Sequence, residues 1–91
     1  EVAKPEWWND EGLKALSARV LRAAPDTELA IDMRAYVLSG FCDAWEVGPR
    51  SAAELKEAAA CFDRSAMCDA PALKAELVRF ADECRIGAEA V

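Results

Sequence analysis

The sequence contains no histidine, and this absence excludes much of the chemistry that a chain of 91 residues could carry. Histidine is the usual general base, the usual partner of a catalytic thiol and a common ligand of zinc. The four cysteines include no C-x-x-C pair. Carboxylates are plentiful, but they fall on predicted solvent faces instead of facing each other across a cleft. We therefore predict that the protein is not an enzyme and has no catalytic residue, no metal site and no cofactor.

Positive charge and long apolar runs are also scarce. The chain has 11 lysines and arginines against 17 aspartates and glutamates, which gives a net charge of −6. Without a basic run, nucleic acid and anionic membranes are poor candidates as partners. The longest useful uncharged stretch, residues 35–42, is far shorter than the roughly 20 residues of a membrane span. We expect no transmembrane segment and no small-molecule ligand. Because the chain starts at Glu1, we expect that a leader was removed or that the sequence starts late.

What the sequence does contain is helical periodicity, without strand alternation. Ser51-Ala-Ala-Glu54 has the spacing of a capping box, so a helix should begin there. The prolines fit helix ends or first turns, and a glycine fits the position after a helix. The remaining boundary signals are the candidate caps Asn9 or Asp10, the prolines Pro25 and Pro71, and the C-terminal cap candidate Gly87.

Apolar residues recur at helical spacing in four segments. The stripes are Leu13, Leu16, Val20 and Ala23; Leu29, Met33, Tyr36 and Gly40, with Ala30, Val37, Phe41 and Ala44 beside them; Leu55, Ala59, Phe62 and Ala66; and Leu73, Leu77, Phe80 and Cys84. Short links between the first and second helices and between the third and fourth favour antiparallel neighbours. The sequence therefore predicts an all-α fold, an up-down-up-down four-helix bundle over residues 10–87. Residues 1–9 form an N-terminal docking arm and residues 88–91 a tail.

The three tryptophans are the candidate partner-binding residues. Trp7 and Trp8 precede the first helix, where one of them can fold back as a hydrophobic staple. Two adjacent rings are hard to bury together, and tryptophan is enriched at interface hot spots, so either could instead anchor in a groove of another protein. Trp45, in the connection between the second and third helices, is expected to cover the end of the bundle.

Bundle geometry restricts how the cysteines can pair. Cys61 and Cys68 lie seven residues apart on one helix, about 10 Å along its axis, which is too far for a disulfide. In an up-down-up-down bundle the second and fourth helices run parallel, so Cys42 and Cys84 lie at the same end of the molecule. We predict that these two are the disulfide candidates, with four buried free thiols as the alternative.

Part of the chain resembles tetratricopeptide repeats. Leu16, Val20 and Pro25 resemble the end of one repeat's second helix. Ala35 and Leu38 resemble small and large positions of the next first helix, and Ala58, Phe62, Ser65 and Pro71 resemble its second. The resemblance implies an adaptor that binds peptides or partner helices.

The chain as a whole resembles the small extrinsic lumenal subunits of photosystem II in algae. It is similar in size, four-helix order, acidic balance, leaderless start and cysteine content, with residues 1–9 as the docking arm. We rank this resemblance first. It implies a non-catalytic subunit that docks on a larger multi-subunit complex in the thylakoid lumen and supports oxygen evolution.

Overall fold

A computed structural model describes residues 4–41, 43–67 and 71–91 of the chain. These residues contain four α-helices: α1 (Asp10–Ala23), α2 (Glu28–Ser39), α3 (Ala52–Ala66) and α4 (Pro71–Ala90). No strand occurs in the described part of the chain. The predicted all-α, four-helix fold is therefore confirmed. None of the described helices is both long and apolar enough to cross a membrane.

Successive helices run in opposite directions and pack against each other. Lys14, early in α1, bonds Glu54, early in α3, with 2.9 Å between Nζ and Oε2. The two helices are thus parallel, and α2 lies between them. Late α4 lies beside early α3, because a Cβ at Gly87 would be 3.4 Å from Leu55 Cδ1. The main interfaces join α1 to α2, α2 to α3 and α3 to α4, and among the described residues no comparable interface joins α1 to α4.

The predicted helix starts are confirmed by their caps. The Asn9 side chain accepts a hydrogen bond from Gly12 N at 2.8 Å. Ser51 and Glu54 form both bonds of the capping box: Glu54 N donates to Ser51 Oγ at 3.1 Å, and Ser51 N donates to Glu54 Oε1 at 2.9 Å. These bonds satisfy amides that have no partner within the helix.

Two predicted boundaries are wrong. Gly40 does not lie inside α2 but ends it, with a φ of 74° that favours glycine, so Phe41 and Ala44 belong to the connection. Gly87 does not end α4, which continues to Ala90 because Ala88 is buried against the rest of the protein. Residues 88–90 are therefore the last turn of a helix and not a tail.

The core lies between α2, α3 and α4. Phe62 is fully buried at its centre, and Leu77 is buried beside it. Phe80 is only half-buried and packs against the core from its edge. The prediction that Leu77 is central is thus confirmed, whereas Phe80 lies at the margin. The other core residues are Ile31, Ala35, Leu38, Ala58, Ala59, Cys61, Ala66, Ala81 and Cys84.

The apolar stripe of Leu29, Met33 and Tyr36 is not the buried side of α2. Leu29 is 79% exposed, while Ala30 and Val37 of the neighbouring stripe are buried. The reason is that α1 and α3 pack against α2 from both sides and bury a wide arc of its surface. The outward arc stays exposed, although its residues are also apolar.

Cys61 and Cys84 are buried free thiols. Burial raises the pKa of the Cys84 thiol to about 11 and also raises the pKa of Cys61. No disulfide is present among the described residues. Cys42, the predicted partner of Cys84, lies outside the described residues, as does Cys68. The Cys42–Cys84 disulfide is therefore unsupported by this structure.

Candidate docking surfaces

The described part of the N-terminal arm, residues 4–9, folds back onto the chain. Trp8 Nε1 donates to the carbonyl oxygen of Ala44 at 3.1 Å. The backbone of Trp7 passes so close to Gly12 that a Cβ there would lie 2.0 Å from the Trp7 carbonyl oxygen. Only glycine permits this approach. The arm is thus held between the first turn of α1 and the connection that follows α2.

A buried ion pair organises this end of the molecule. The Arg50 side chain is only 6% exposed and holds the Asp10 carboxylate with both terminal nitrogens, each at 2.7 Å from a carboxylate oxygen. Arg50 also donates to the carbonyl oxygens of Val37 at 2.8 Å and Leu38 at 2.9 Å, in the last turn of α2. One side chain therefore joins the start of α1 to the end of α2, where a cation also complements the helix dipole.

The electrostatics of this pair follow from its geometry. The hydrogen bonds from Arg50 hold the pKa of Asp10 well below its usual range, against the opposing effect of burial. Trp45 adds a hydrogen bond, with Nε1 donating to Asp10 Oδ1 at 3.0 Å. The same carboxylate raises the pKa of Arg50. Both groups are charged over the whole physiological pH range.

Trp8 and Trp45 line one cleft of about 660 Å³ between the arm and the connection after α2. Trp7 lies outside its lining, is 49% exposed, and has its ring centroid 5.9 Å from that of Trp8. The structure thus brings two of the three predicted tryptophans together and leaves the third facing solvent. Their binding to a partner stays a prediction. The remaining lining residues are Lys4, Asn9, Asp10, Glu11, Glu46, Val47, Gly48 and Pro49.

A second surface, which the sequence did not reveal, runs between α2 and α4. Four aromatic rings meet there: the Phe80 centroid lies 6.4 Å from Tyr36, 5.6 Å from Phe41 and 5.6 Å from Phe62. Phe62 is the buried floor, and Tyr36 and Phe41 are exposed over 36% and 41% of their surface. We call this surface the aromatic groove. Met33 and Leu29 lie about one and two turns before Tyr36 on the same side of α2.

The aromatic groove has acidic residues at its edges. Glu76 and Glu83 are exposed and lie four residues before and three residues after Phe80, on the same side of α4. Asp32 precedes Tyr36 by one turn and accepts a short hydrogen bond from Ser65 of α3. A cation is also present, since Arg79 lies over the Phe80 ring at 5.7 Å.

The described residues hold no group of three or more histidines, cysteines, aspartates or glutamates that could bind a metal ion. Comparison with known proteins finds no matching family model, no similar curated protein and no similar solved structure.

Proposed function

We propose that this protein is a non-catalytic docking module, which joins a larger assembly by receiving a helix of its partner in the aromatic groove. The observation that carries the proposal is the outward side of α2, which is apolar although solvent faces it. Leu29 is 79% exposed there, and Met33 and Tyr36 follow it along the same side. A helix that is apolar on all sides is normally covered on all sides.

The aromatic residues lie in one cluster, which distinguishes them from the single apolar residues that every protein exposes. The Phe80 ring contacts the rings of Tyr36 and Phe41, and all three contact the buried ring of Phe62. An apolar floor between two helices is the kind of surface that accepts the apolar side of an amphipathic helix. The aromatic side chains supply contact area with little loss of conformational entropy.

Charge indicates the chemistry of the partner. Glu76 and Glu83 border the groove along α4, and Asp32 borders it along α2. The whole chain carries a net charge of −6. A partner helix with leucine or phenylalanine on one side and lysine or arginine on the other would bury its apolar side and pair its cations with these carboxylates.

The packing of the helices supports the adaptor interpretation of the resemblance to tetratricopeptide repeats. Successive helices pack pairwise, and the interfaces recur along the chain. Five of the residues that carry the resemblance are almost completely buried; they are Ala35, Leu38, Ala58, Phe62 and Ser65. In such an arrangement, α2 and α4 would present the groove to the partner.

An extrinsic lumenal subunit of photosystem II remains the narrower version of the proposal that we drew from the sequence. The acidic charge and the exposed ring of Trp7 at the arm support it. In this version the protein should be recovered with photosynthetic membranes, and a salt wash should release it. Trp7→Ala should then reduce rebinding, whereas equal rebinding of the variant would remove the arm from the docking surface.

Binding of a designed helix tests the proposal directly. The probe is a fluorescein-labelled 18-residue amphipathic peptide with leucine and phenylalanine on one side and lysine on the other, followed by anisotropy. Leu29→Ser and Phe41→Ser should each weaken binding by about tenfold, because they remove apolar contacts at the groove. Ile86→Ser is the matched control, because Ile86 is 67% exposed on α4 but is not one of the groove residues.

Charge reversal separates specific docking from general hydrophobic binding. The double variant Glu76→Lys and Glu83→Lys should weaken binding of the lysine peptide. It should strengthen binding of a second peptide that keeps the same apolar side and carries glutamate in place of lysine. If Leu29→Ser, Phe41→Ser and Ile86→Ser all bind the lysine peptide as the parent does, the groove is not the docking surface.

A further inference from the structure

The cleft between the arm and the connection after α2 already holds an ammonium group. Lys4 Nζ lies 5.7 Å from the centroid of the Trp8 ring and 3.4 Å from the carbonyl oxygen of Ala44. An aromatic face and a carbonyl oxygen are two components of sites that bind alkylammonium ions. The protein therefore shows, with its own side chain, which chemistry this cleft accepts.

The cleft has room for more than this one side chain. Its volume is about 660 Å³, and Trp45, Val47 and Pro49 provide further apolar lining. Both indole N–H groups bond protein oxygens, Trp8 to Ala44 and Trp45 to Asp10. The two tryptophans consequently contribute aromatic carbon to the cleft, which attracts a cation through the ring quadrupole.

Charge in the lining also favours a cation. Asp10 is neutralised by Arg50, so it adds no net charge. Glu11 contacts Lys14 at 3.3 Å, but its side chain is 86% exposed, and solvent screens this pair. Glu46 forms no ion pair among the described residues and is exposed at the edge of the cleft. Glu11 and Glu46 thus provide a negative potential around the aromatic lining.

We propose that this cleft binds an alkylammonium group and that Lys4 is its internal occupant, which an incoming ammonium displaces. The group could be a free quaternary amine or the lysine side chain of a partner protein, and both present the same chemistry. Displacement costs little, because Lys4 is exposed and its hydrogen bond to Ala44 is long at 3.4 Å. The site is separate from the aromatic groove, so a negative result at one of these two surfaces does not bear on the proposal for the other.

Titration with tetramethylammonium chloride tests the proposal, with sodium chloride at equal ionic strength as the reference. The readout is tryptophan fluorescence together with the indole N–H resonances in NMR spectra. We expect saturable changes at Trp8 and Trp45. Lys4→Gln should tighten binding several-fold because it removes the competitor, and Trp8→Leu should weaken it about tenfold.

Two further variants keep the test decisive if Trp8→Leu perturbs the fold. Glu46→Gln should weaken binding, and Trp7→Phe should leave it unchanged, because Trp7 does not line the cleft. Absence of a tetramethylammonium-specific change in both the parent and Lys4→Gln would overturn the proposal. Weaker binding by Lys4→Gln would overturn the role of Lys4 as competitor.

A pair of short peptides distinguishes the two sources of the ammonium group. Acetylated tetrapeptides carrying trimethyl-lysine or its neutral carbon isostere, in which a tert-butyl group replaces the trimethylammonium group, are compared with tetramethylammonium. Tighter binding of the trimethyl-lysine peptide than of the free amine indicates a partner protein, and no gain over the free amine indicates a small amine. Equal binding of both peptides would show that charge is not recognised and would overturn the proposal.

Discussion

Replacing Arg50 with alanine should lower stability more than any other single change at the end of the molecule where Arg50 pairs with Asp10. The guanidinium donates to both oxygens of the Asp10 carboxylate at 2.7 Å and to the carbonyl oxygens of Val37 and Leu38. Alanine removes the cation that holds the carboxylate, which is only 13% exposed, and leaves Lys14 Nζ at 3.8 Å as its remaining ion-pair partner. It also leaves two carbonyls in the last turn of α2 without their donor.

The size of the effect follows from these losses. Breaking a buried ion pair by removing one partner typically costs about 3–5 kcal/mol. Asp10 can regain some water, which favours the lower end, and each lost carbonyl bond adds about 1 kcal/mol. We expect a loss of about 5 kcal/mol in the free energy of unfolding, against a total of about 5–14 kcal/mol for a domain of this size. The melting temperature should fall by more than about 15 °C.

Related variants separate charge from geometry. Arg50→Lys keeps the charge but loses the planar two-point contact, so it should cost about half as much. Asp10→Asn keeps an acceptor for Trp45 but leaves Arg50 buried without a counter-ion. In a double-mutant cycle of Asp10→Asn with Arg50→Ala, the two losses should fall short of additivity by about 1.5–3 kcal/mol. The measurement is urea unfolding followed by circular dichroism and tryptophan fluorescence.

The same pair determines the response to acid. Because the pKa of Asp10 is lower in the folded protein than in the unfolded chain, the pair contributes fully above pH of about 4 and is lost as the pH falls further. Stability should therefore drop below pH 4 by at most about 1.4 kcal/mol per pH unit from this group. Asp10→Asn should remove this component. A smaller acid slope remains from Glu54, whose pKa is lowered by the Ser51 backbone amide and by Lys14.

Arg85→Ala is the matched control. Arg85 pairs with Asp63 and Asp82, but its side chain is 47% exposed, and exposed pairs contribute about 0–1 kcal/mol. If Arg50→Ala destabilises the protein no more than Arg85→Ala does, the buried pair does not hold this end of the fold together.

Two further predictions concern the core. Leu77→Ala should lower the free energy of unfolding by about 2–5 kcal/mol because Leu77 is buried. Leu73→Ala, at 45% exposure on the same helix, should lower it by less than about 1 kcal/mol. Equal losses in urea unfolding would show that the core lies on the other side of α4. Cys61 and Cys84 should react with Ellman's reagent only as the protein unfolds, because both thiols are buried and their pKa values are raised. Rapid reaction of either remaining thiol in a Cys42→Ser, Cys68→Ser variant under native conditions would contradict this reasoning.

Helix ends were predictable because their signals are local. A capping box needs four consecutive residues, and Ser51 to Glu54 supply both of its hydrogen bonds. Asn9 and Pro25 acted in the same way at the ends of α1. The predicted end of α4 at Gly87 was wrong because a glycine after an apolar stripe is only a weak stop signal. Burial of Ala88 stabilises a further helical turn.

The ion pair between Asp10 and Arg50 was not predictable in the same way. Asp10 and Arg50 are 40 residues apart, and no spacing rule joins them. Their contact arises only once α1, α2 and the start of α3 are in place. Gly12 offered the one local hint, since glycine in the first turn of a helix lowers helix propensity and calls for a reason. That reason is the close approach of Trp7.

The error on α2 explains why the aromatic groove escaped notice. A periodic stripe identifies the buried side of a helix only if the other side is polar, and α2 has apolar residues on nearly every side. α1 and α3 cover the sides of α2 that carry Ala30, Val37 and Leu38, and these three residues are buried. α4 packs mainly against α3, and the ring of Phe80 reaches Tyr36 of α2. The described residues supply no fifth helix that could pack on Leu29, Met33 and Tyr36. In a fold of this size an uncovered apolar arc lowers solubility, and a partner helix that covers it would turn this cost into binding energy.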